Sequence, residues 1–231
     1  MFGQSRLMHN KNITIGVLGG MGPYATLHFL KRILDLTPVT KDRDHFRIIT
    51  DNNVKIPSRT RAVKYGEKSP VDDMVYCINK LSDFGCDYVM LPCNSAHYFY
   101  DQIIPRINIP WLNMIEIISN KTTSLRLTKP LVLGGFVTTN KKIYSKYIPN
   151  AVYLDEYGNN EVENIIEEIK SFGKISVNSL VILKNLIDEV KNSIDSVILA
   201  CTELPIVIGD DCFNDIQLLD TTDEYILSLF N

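Results

Sequence analysis

The sequence predicts an α/β protein: two pseudo-symmetric domains, each a parallel sheet with its helices, and an active site in the cleft between them. Two repeats carry this prediction. Asp87-Tyr88-Val89-Met90-Leu91-Pro92-Cys93-Asn94-Ser95 and Asp195-Ser196-Val197-Ile198-Leu199-Ala200-Cys201-Thr202-Glu203 share Asp, Val, Leu and Cys at equal offsets, 108 residues apart (201 − 93). Val17-Leu18-Gly19-Gly20 returns as Val132-Leu133-Gly134-Gly135, 115 residues on (132 − 17), and each copy precedes its own cysteine segment. Two matches in the same order at nearly the same spacing favour an internal duplication. The runs themselves give the class. They are short, rich in β-branched residues and end abruptly, as strands buried on both faces of a parallel sheet do. Each cysteine then sits at a strand's carboxyl end, where open α/β sheets place their ligands.

The elements follow in order. Ile13 to Leu18 reads as a strand, and Gly19-Gly20-Met21-Gly22-Pro23 as a glycine turn opening a helix, since Pro suits a first helical position where its missing N–H has no partner. That helix runs to about Leu36 on an apolar stripe of Leu27, Leu30, Ile33 and Leu34, and its start is a seat for an anion. Phe46 to Thr50 is the second strand, followed by a loop from Asp51 to Arg61. Val71 to Phe84 is an amphipathic helix capped near Gly85, leading into the first cysteine strand. Ser95 to Ile103 is expected to be helical up to Pro105, and Ile109 to Leu112 closes the first half as a short strand. Met114 to Arg126 reads as a helix, Pro130 to Leu133 as a strand, Lys141 to Tyr147 as a helix and Ala151 to Leu154 as a strand. Glu161 to Ser171 and Val177 to Asn192 have helical periodicity, broken near Gly173. Beyond Cys201, a helical turn at Pro205 to Ile208, a strand at Ile216 to Leu219 and a helix at Asp223 to Phe230 complete the chain. The last strand and helix are expected to return to the first half. The domains are therefore drawn as 1–112 with 212–231, and 113–211.

Composition narrows the function classes. With 45% hydrophobic and 22% charged residues the 231-residue chain is an ordinary globular protein, and a net charge of −3 offers no electrostatic case for nucleic acid or an anionic membrane. Met1 to Asn12 lacks the apolar core of a signal peptide, and no apolar run nears the roughly 20 residues that span a bilayer. A cytoplasmic protein is expected, its five cysteines free thiols. Cys77, Cys86 and Cys212 read as packing residues.

Several residues are candidates for chemistry. Arg59 stands in the loop after the second strand, where a guanidinium can hold a carboxylate by two parallel hydrogen bonds; a solvated arginine is the alternative. Cys93 lies near a predicted helix N-terminus, which favours thiolate. His97, four residues on, is an orienting partner for the cleft or a structural histidine; with Cys93 it makes only two metal ligands, too few for zinc. Thr138, Thr139 and Asn140 are helix caps or ligand contacts. Gly20-Met21-Gly22-Pro23-Tyr24-Ala25 fits a dinucleotide-binding pattern loosely, without the acidic residue about 20 positions on that would complete it.

Together, Ile15-Gly16-Val17-Leu18-Gly19-Gly20-Met21-Gly22-Pro23, Pro92-Cys93-Asn94-Ser95-Ala96-His97 and Cys201-Thr202-Glu203-Leu204-Pro205 resemble the aspartate/glutamate racemase family, in its aspartate racemase branch. The resemblance covers essentially the whole chain. It implies interconversion of the L and D forms of aspartate or glutamate without cofactor or metal. Cys93 and Cys201 would alternate as thiolate base and thiol acid on opposite faces of the α-carbon, Cys93 serving the D form and Cys201 the L form. By the same resemblance Arg59 binds a substrate carboxylate and Lys170 reaches the side-chain carboxylate. Asn94, Ser95, Thr138 and Thr202 hold the amino acid, Met21 lines the cleft, and His97 and Glu203 support the site. The family is usually dimeric, so a homodimer is expected. A relative with changed chemistry, a dicarboxylic-acid isomerase or decarboxylase, is the alternative, and retention of both cysteines argues against it. The pattern departs at Ser95 (usually threonine), at Gly135 (commonly threonine), at Phe136 and Val137 where glycine is frequent, and by one extra residue before Gly173 after Lys170.

Overall fold

The computed structural model describes residues 13–208, 213 and 216–230. It divides into two compact units, Met1–Asn113 with Thr222–Asn231, and Met114–Thr221.

The first unit comprises β1 (Thr14–Gly19), α1 (Pro23–Leu36), β2 (Arg47–Asn52), α2 (Arg59–Tyr65), α3 (Val71–Asp83), β3 (Tyr88–Met90) and α4 (Tyr100–Ile103). Its sheet has the order β2-β1-β3, all parallel, and one further parallel bridge joins Val89 to Trp111 beyond β3. β1 is buried at all six positions, which suits the strand that pairs on both edges. The second unit holds α5 (Met114–Ser124), β4 (Pro130–Leu133), α6 (Phe136–Asn140), α7 (Glu156–Phe172), α8 (Val177–Val190), β5 (Ser196–Leu199) and β6 (Gln217–Asp220). Its parallel order is β4-β5-β6, with a lone bridge from Leu131 to Val152 on the far side of β4. α9 (Thr221–Leu227) starts at the boundary and otherwise belongs to the first unit.

The two sheets have one topology. In each, the strand ending in the Gly-Gly turn lies between the following strand or bridge and the cysteine strand, and the cysteine strand takes a last partner on its other edge: Trp111 in one unit, β6 in the other. The repeated aspartate has a structural role in both. Asp87 Oδ2 accepts the Thr14 N–H at 2.8 Å, and Asp195 Oδ2 accepts the N–H groups of Thr128 at 2.5 Å and Lys129 at 2.9 Å. Each carboxylate thereby ties the start of a cysteine strand to the start of its Gly-Gly strand.

Several elements differ from expectation. β6 pairs with β5 instead of returning to the first sheet, because β5 is buried at all four positions and its second edge would otherwise lack a partner. The buried face of α1 is Ala25, Thr26, Phe29 and Ile33, while Leu27 and Leu34 are 61% and 52% exposed. Small residues let α1 approach the glycine turn: a Cβ on Gly19 would lie 2.3 Å from Thr26 Cγ2. Arg59 begins α2, capped by Ser58 Oγ accepting from the Arg61 N–H at 3.2 Å, so the loop ends earlier than predicted. Asn94 to Phe99 is a tight 3₁₀ segment that gives way to the short α4. The helix after Gly135 is Phe136–Asn140, which contains Thr138 and Thr139; it stops before Lys142, whose φ of 47° is left-handed, and 141–147 are turns. α7 starts five residues early because Asp155 caps it through the Gly158 N–H at 2.8 Å. In the 151–154 stretch only Val152 pairs with a strand.

The apolar faces of α3 and β3 form the first core, and those of α7, α8, β4 and β5 the second. Cys77 and Cys86 are buried in the first, where desolvation pushes the Cys77 thiol up to about 11 and the Cys86 thiol upward. Cys212 lies outside the described residues. Among the described residues no helix is long and apolar enough to cross a membrane.

Candidate active site

The cysteine segments sit at corresponding strand ends, and each is considered in its own unit. In the first, β3 leads through Leu91 and Pro92 to Cys93, which is buried and precedes the 3₁₀ segment. The chain turns at once, with the Ala96 N–H bonding the Cys93 carbonyl at 3.2 Å. That carbonyl is also 2.9 Å from His97 Nδ1, a contact in which the ring N–H donates to the backbone and not to the thiol. His97 is 6% exposed and packs on Trp111 and Tyr225 with ring centroids 4.9 Å and 6.2 Å away. Burial drives its pKa down to about 4 against the opposing hydrogen bonds to the backbone of Cys93 and Leu112, so it is neutral at physiological pH. His97 thus bonds the backbone that carries Cys93. Asn94 is buried beside Cys93, and Ser95 is half-buried.

Arg59 and Met21 come together in the same unit. The Arg59 guanidinium donates from Nη1 to the Pro57 carbonyl at 3.1 Å and from Nη2 to the Met21 carbonyl at 3.0 Å, while its buried Nε has no partner. The group is thus pinned on backbone, unlike Arg61, which is solvated and paired with Glu67 at 2.5 Å and 2.7 Å. Met21 shares a core cluster with Ile56 and Cys93. In the glycine turn the Gly20 N–H is already taken by Thr26 Oγ1 at 2.9 Å, which removes one donor from the expected anion seat.

In the second unit β5 ends at Leu199, and Cys201 follows Ala200. Its Sγ donates to Glu203 Oε2 at 2.9 Å. Glu203 is only 2% exposed, and its other oxygen, Oε1, is buried without a hydrogen-bond partner. Lys170 projects from the last turn of α7, its Nζ 2.7 Å from Glu167 Oε1. Burial works against the Lys170 charge, but Cys201, Glu203 and Glu167 outweigh it and raise its pKa. For Cys201, burial and then the Glu203 carboxylate push the thiol well above its ordinary value, opposed by Lys170 and by the Glu203 backbone N–H, which also faces the sulfur. Thr202 is buried beside this pair. Thr138 is fully buried with an unpartnered Oγ1, and its Cγ2 lies 2.8 Å from where a Gly134 Cβ would stand, a position also 2.8 Å from the Ala200 carbonyl. Cys201, Glu203 and Lys170 are therefore one electrostatic group, with Thr138 packed beside the backbone that carries it.

Two residues of this region escaped the sequence reading. Tyr144 is fully buried and its phenol is raised well above the usual range, by burial first, then by Tyr153 and Cys201. Glu163 accepts the Phe136 N–H at 2.7 Å and stands 3.0 Å from the point a Gly135 Cβ would occupy. The missing threonine at 135 and this carboxylate thus use the same space. Glu163, Glu167 and Lys170 fall at i, i+4 and i+7 of α7, a spacing that shares one helix face and could have flagged Glu163. Among the described residues no group of three or more His, Cys, Asp or Glu could hold a metal ion.

A family model for the Asp/Glu/hydantoin racemases matches residues 18–228. The chain belongs to this family. The broad specificity amino-acid racemase RacX of Bacillus subtilis (strain 168) is 27% identical over 217 residues, 90% of this chain and 92% of that protein. Among solved structures, the Picrophilus torridus aspartate racemase matches this racemase with a TM-score of 0.85 and 27% identity, covering 94% of this chain and 93% of that one. The glutamate racemase of Francisella tularensis subsp. tularensis SCHU S4, in complex with D-glutamate, shares the fold at a TM-score of 0.68 and 19% identity over 96% and 81% of the two chains. The racemase is an isomerase with the α/β fold of these relatives, two parallel three-stranded sheets with helices.

Proposed function

We propose that this racemase interconverts the L and D forms of aspartate or glutamate, without a cofactor, by a 1,1-proton transfer between Cys93 and Cys201. The observation that carries the reading is the matched pair of strand ends: two sheets of one topology, each delivering a cysteine just beyond its cysteine strand. Inversion at a carbon needs a base on one face and an acid on the other, and two equivalent strand ends supply one thiol for each. One sulfur, as thiolate, takes the α-proton; the other, as thiol, gives its proton to the opposite face. The α-C–H is a very weak acid, so fixed donors must stabilise the carbanion-like state.

Arg59 would bind a substrate carboxylate from its backbone-held position. Lys170 would exchange Glu167 for the side-chain carboxylate of the substrate, with Asn94, Ser95, Thr138 and Thr202 as hydrogen-bonding partners. Aspartate is supported by the name of the Picrophilus torridus relative and a wider range of amino acids by that of RacX. The test is α-proton exchange in D₂O, followed by NMR, with both enantiomers of aspartate and glutamate and no cofactor added, on wild type beside Cys93→Ser and Cys201→Ser. Deuterium at the α-carbon with appearance of the antipode is expected for wild type, and racemisation reduced by about a thousandfold or more in either variant. Racemisation that survives loss of one thiol would refute the two-cysteine mechanism.

A further inference from the structure

The two thiols do not have equal surroundings. Cys201 Sγ donates to Glu203 Oε2 at 2.9 Å, and that carboxylate is 2% exposed with Oε1 left unpartnered. The Cys201 thiol is thus its one hydrogen-bonding partner among the described residues. The charged and titratable groups facing Cys201 are Glu203 on its own segment, Lys170 from α7 and the Tyr144 phenol after α6. Of these only Lys170 is a cation, and it is already shared with Glu167 at 2.7 Å. In the first unit the residue two places past the cysteine is Ser95, and the Cys93 thiol makes no hydrogen bond to a carboxylate among the described residues.

We infer that Glu203 makes the two cysteines unequal: it accepts the Cys201 S–H, keeps that sulfur in its thiol form, and so makes Cys201 the acid of the resting racemase and Cys93 its base. This rests on the two-cysteine reading above. A thiolate at Cys201 would set two negative charges within hydrogen-bond distance, one of them on a carboxylate that is itself buried, whereas a thiol removes one charge and donates to the other. The step balances. Cys93 thiolate takes the α-proton, forming S–H while the C–H electron pair stays on carbon. The S–H bond of Cys201 breaks as its proton passes to the opposite face, and that electron pair stays on sulfur. Cys201 thiolate, now beside Glu203, is the disfavoured form; it takes a proton from water as Cys93 returns one, with no net change.

The test compares wild type with Glu203→Gln, which preserves the shape of the side chain but not its charge, and Glu203→Asp, which preserves the charge. Each thiol is titrated by its rate of iodoacetamide labelling against pH, with the labelled peptide identified by mass spectrometry, and kcat/KM is followed over the same range. In wild type the Cys201 midpoint is expected above that of Cys93. In Glu203→Gln it falls by about one unit or more and the Cys93 midpoint stays, while in Glu203→Asp, which keeps the negative charge, the Cys201 midpoint stays above that of Cys93. The basic limb of kcat/KM, where the acid loses its proton, moves down with Cys201. A Cys201 midpoint unmoved in Glu203→Gln, or one lying below Cys93 in wild type, overturns the inference. Should wild type racemise no amino acid, the kinetic arm alone exposes the failed functional reading, and the labelling midpoints still decide whether Glu203 holds the proton on Cys201.

Discussion

In the first unit a histidine four residues past the cysteine holds its carbonyl; in the second a glutamate two residues past the cysteine holds its thiol, and both contacts are 2.9 Å long. The strands that deliver the two cysteines are otherwise built alike, with an aspartate at the start, a buried apolar run and a partner strand that ends in a Gly-Gly turn. The similarities belong to the sheet and the differences to the sulfur. A duplicated fold can keep the groups that set register and packing while the groups beyond the strand ends diverge, because the latter touch few sheet residues. The chemistry of each half is then set by a handful of positions, and substitutions can ask which of them bear on the scaffold and which on the site.

The largest contrast is expected at the glycine turns. Gly20 has φ +85°, and a Cβ there would lie 2.3 Å from the Asn53 carbonyl carbon, which is backbone and cannot step aside. Its counterpart Gly135 has an ordinary φ of −71°, and the nearest atom to its absent Cβ is the end of the Glu163 side chain at 3.0 Å. Gly20→Ala is expected to cost about 3 kcal/mol or more, and Gly135→Ala less than about 1 kcal/mol, measured by urea unfolding. Comparable losses at the two sites would mean that the turns are equally constrained and that the duplication extends to them in full.

His97 gives the next effect, and it has no equivalent in the second unit, where Pro205 stands four residues past Cys201. Its pKa is lowered by burial to about 4, so the unfolded chain takes up a proton at a higher pH than the folded one does. Stability from this residue is therefore fully present above the unfolded value near 6.5 and lost as pH falls from there to about 4, a loss of about 3 kcal/mol. Urea midpoints between pH 7.5 and 4 should show this slope in wild type and a flatter one in His97→Gln. An NMR titration in which the His97 ring gains its proton near pH 6.5 would sink the argument.

Much of this was legible in the sequence, for identifiable reasons. The repeats are strand ends and glycine turns, whose residue types are dictated locally, so the sheet class and the family can be read from them directly. The last strand was misplaced because Ile216 to Leu219 is too short to show which sheet it joins; only the open edge of β5 decides that. The role of His97 was open because a histidine four residues past a cysteine in a 3₁₀ segment meets the backbone carbonyl, whereas the same spacing in an α-helix invites a reading in terms of side chains. Its spacing places Glu163 on the face of Glu167 and Lys170, but its partner was not legible because that is a backbone N–H 27 residues away, a contact set by tertiary packing alone.

The smallest contrast concerns the repeated aspartates, and it tests whether equal sequence means equal weight. Asp87 Oδ2 accepts one N–H, from Thr14. Asp195 accepts those of Thr128 and Lys129 and the hydroxyls of Thr128 and Ser196. Burial opposes the Asp195 charge, but the four hydrogen bonds together outweigh it and hold the carboxyl below its usual range. Its contribution is therefore present above the unfolded carboxyl pKa and lost as pH falls through the lower folded value. Asp195→Ala is expected to cost about 2 kcal/mol at neutral pH and Asp87→Ala about 1 kcal/mol, with the difference closing in strong acid. Unfolding curves at pH 7 and pH 3 separate the two terms. If Asp87→Ala were the costlier change, the hydrogen bonds of the first sheet would be anchoring it more strongly than their number implies, and the aspartates would owe their repetition to something other than tying two strands together.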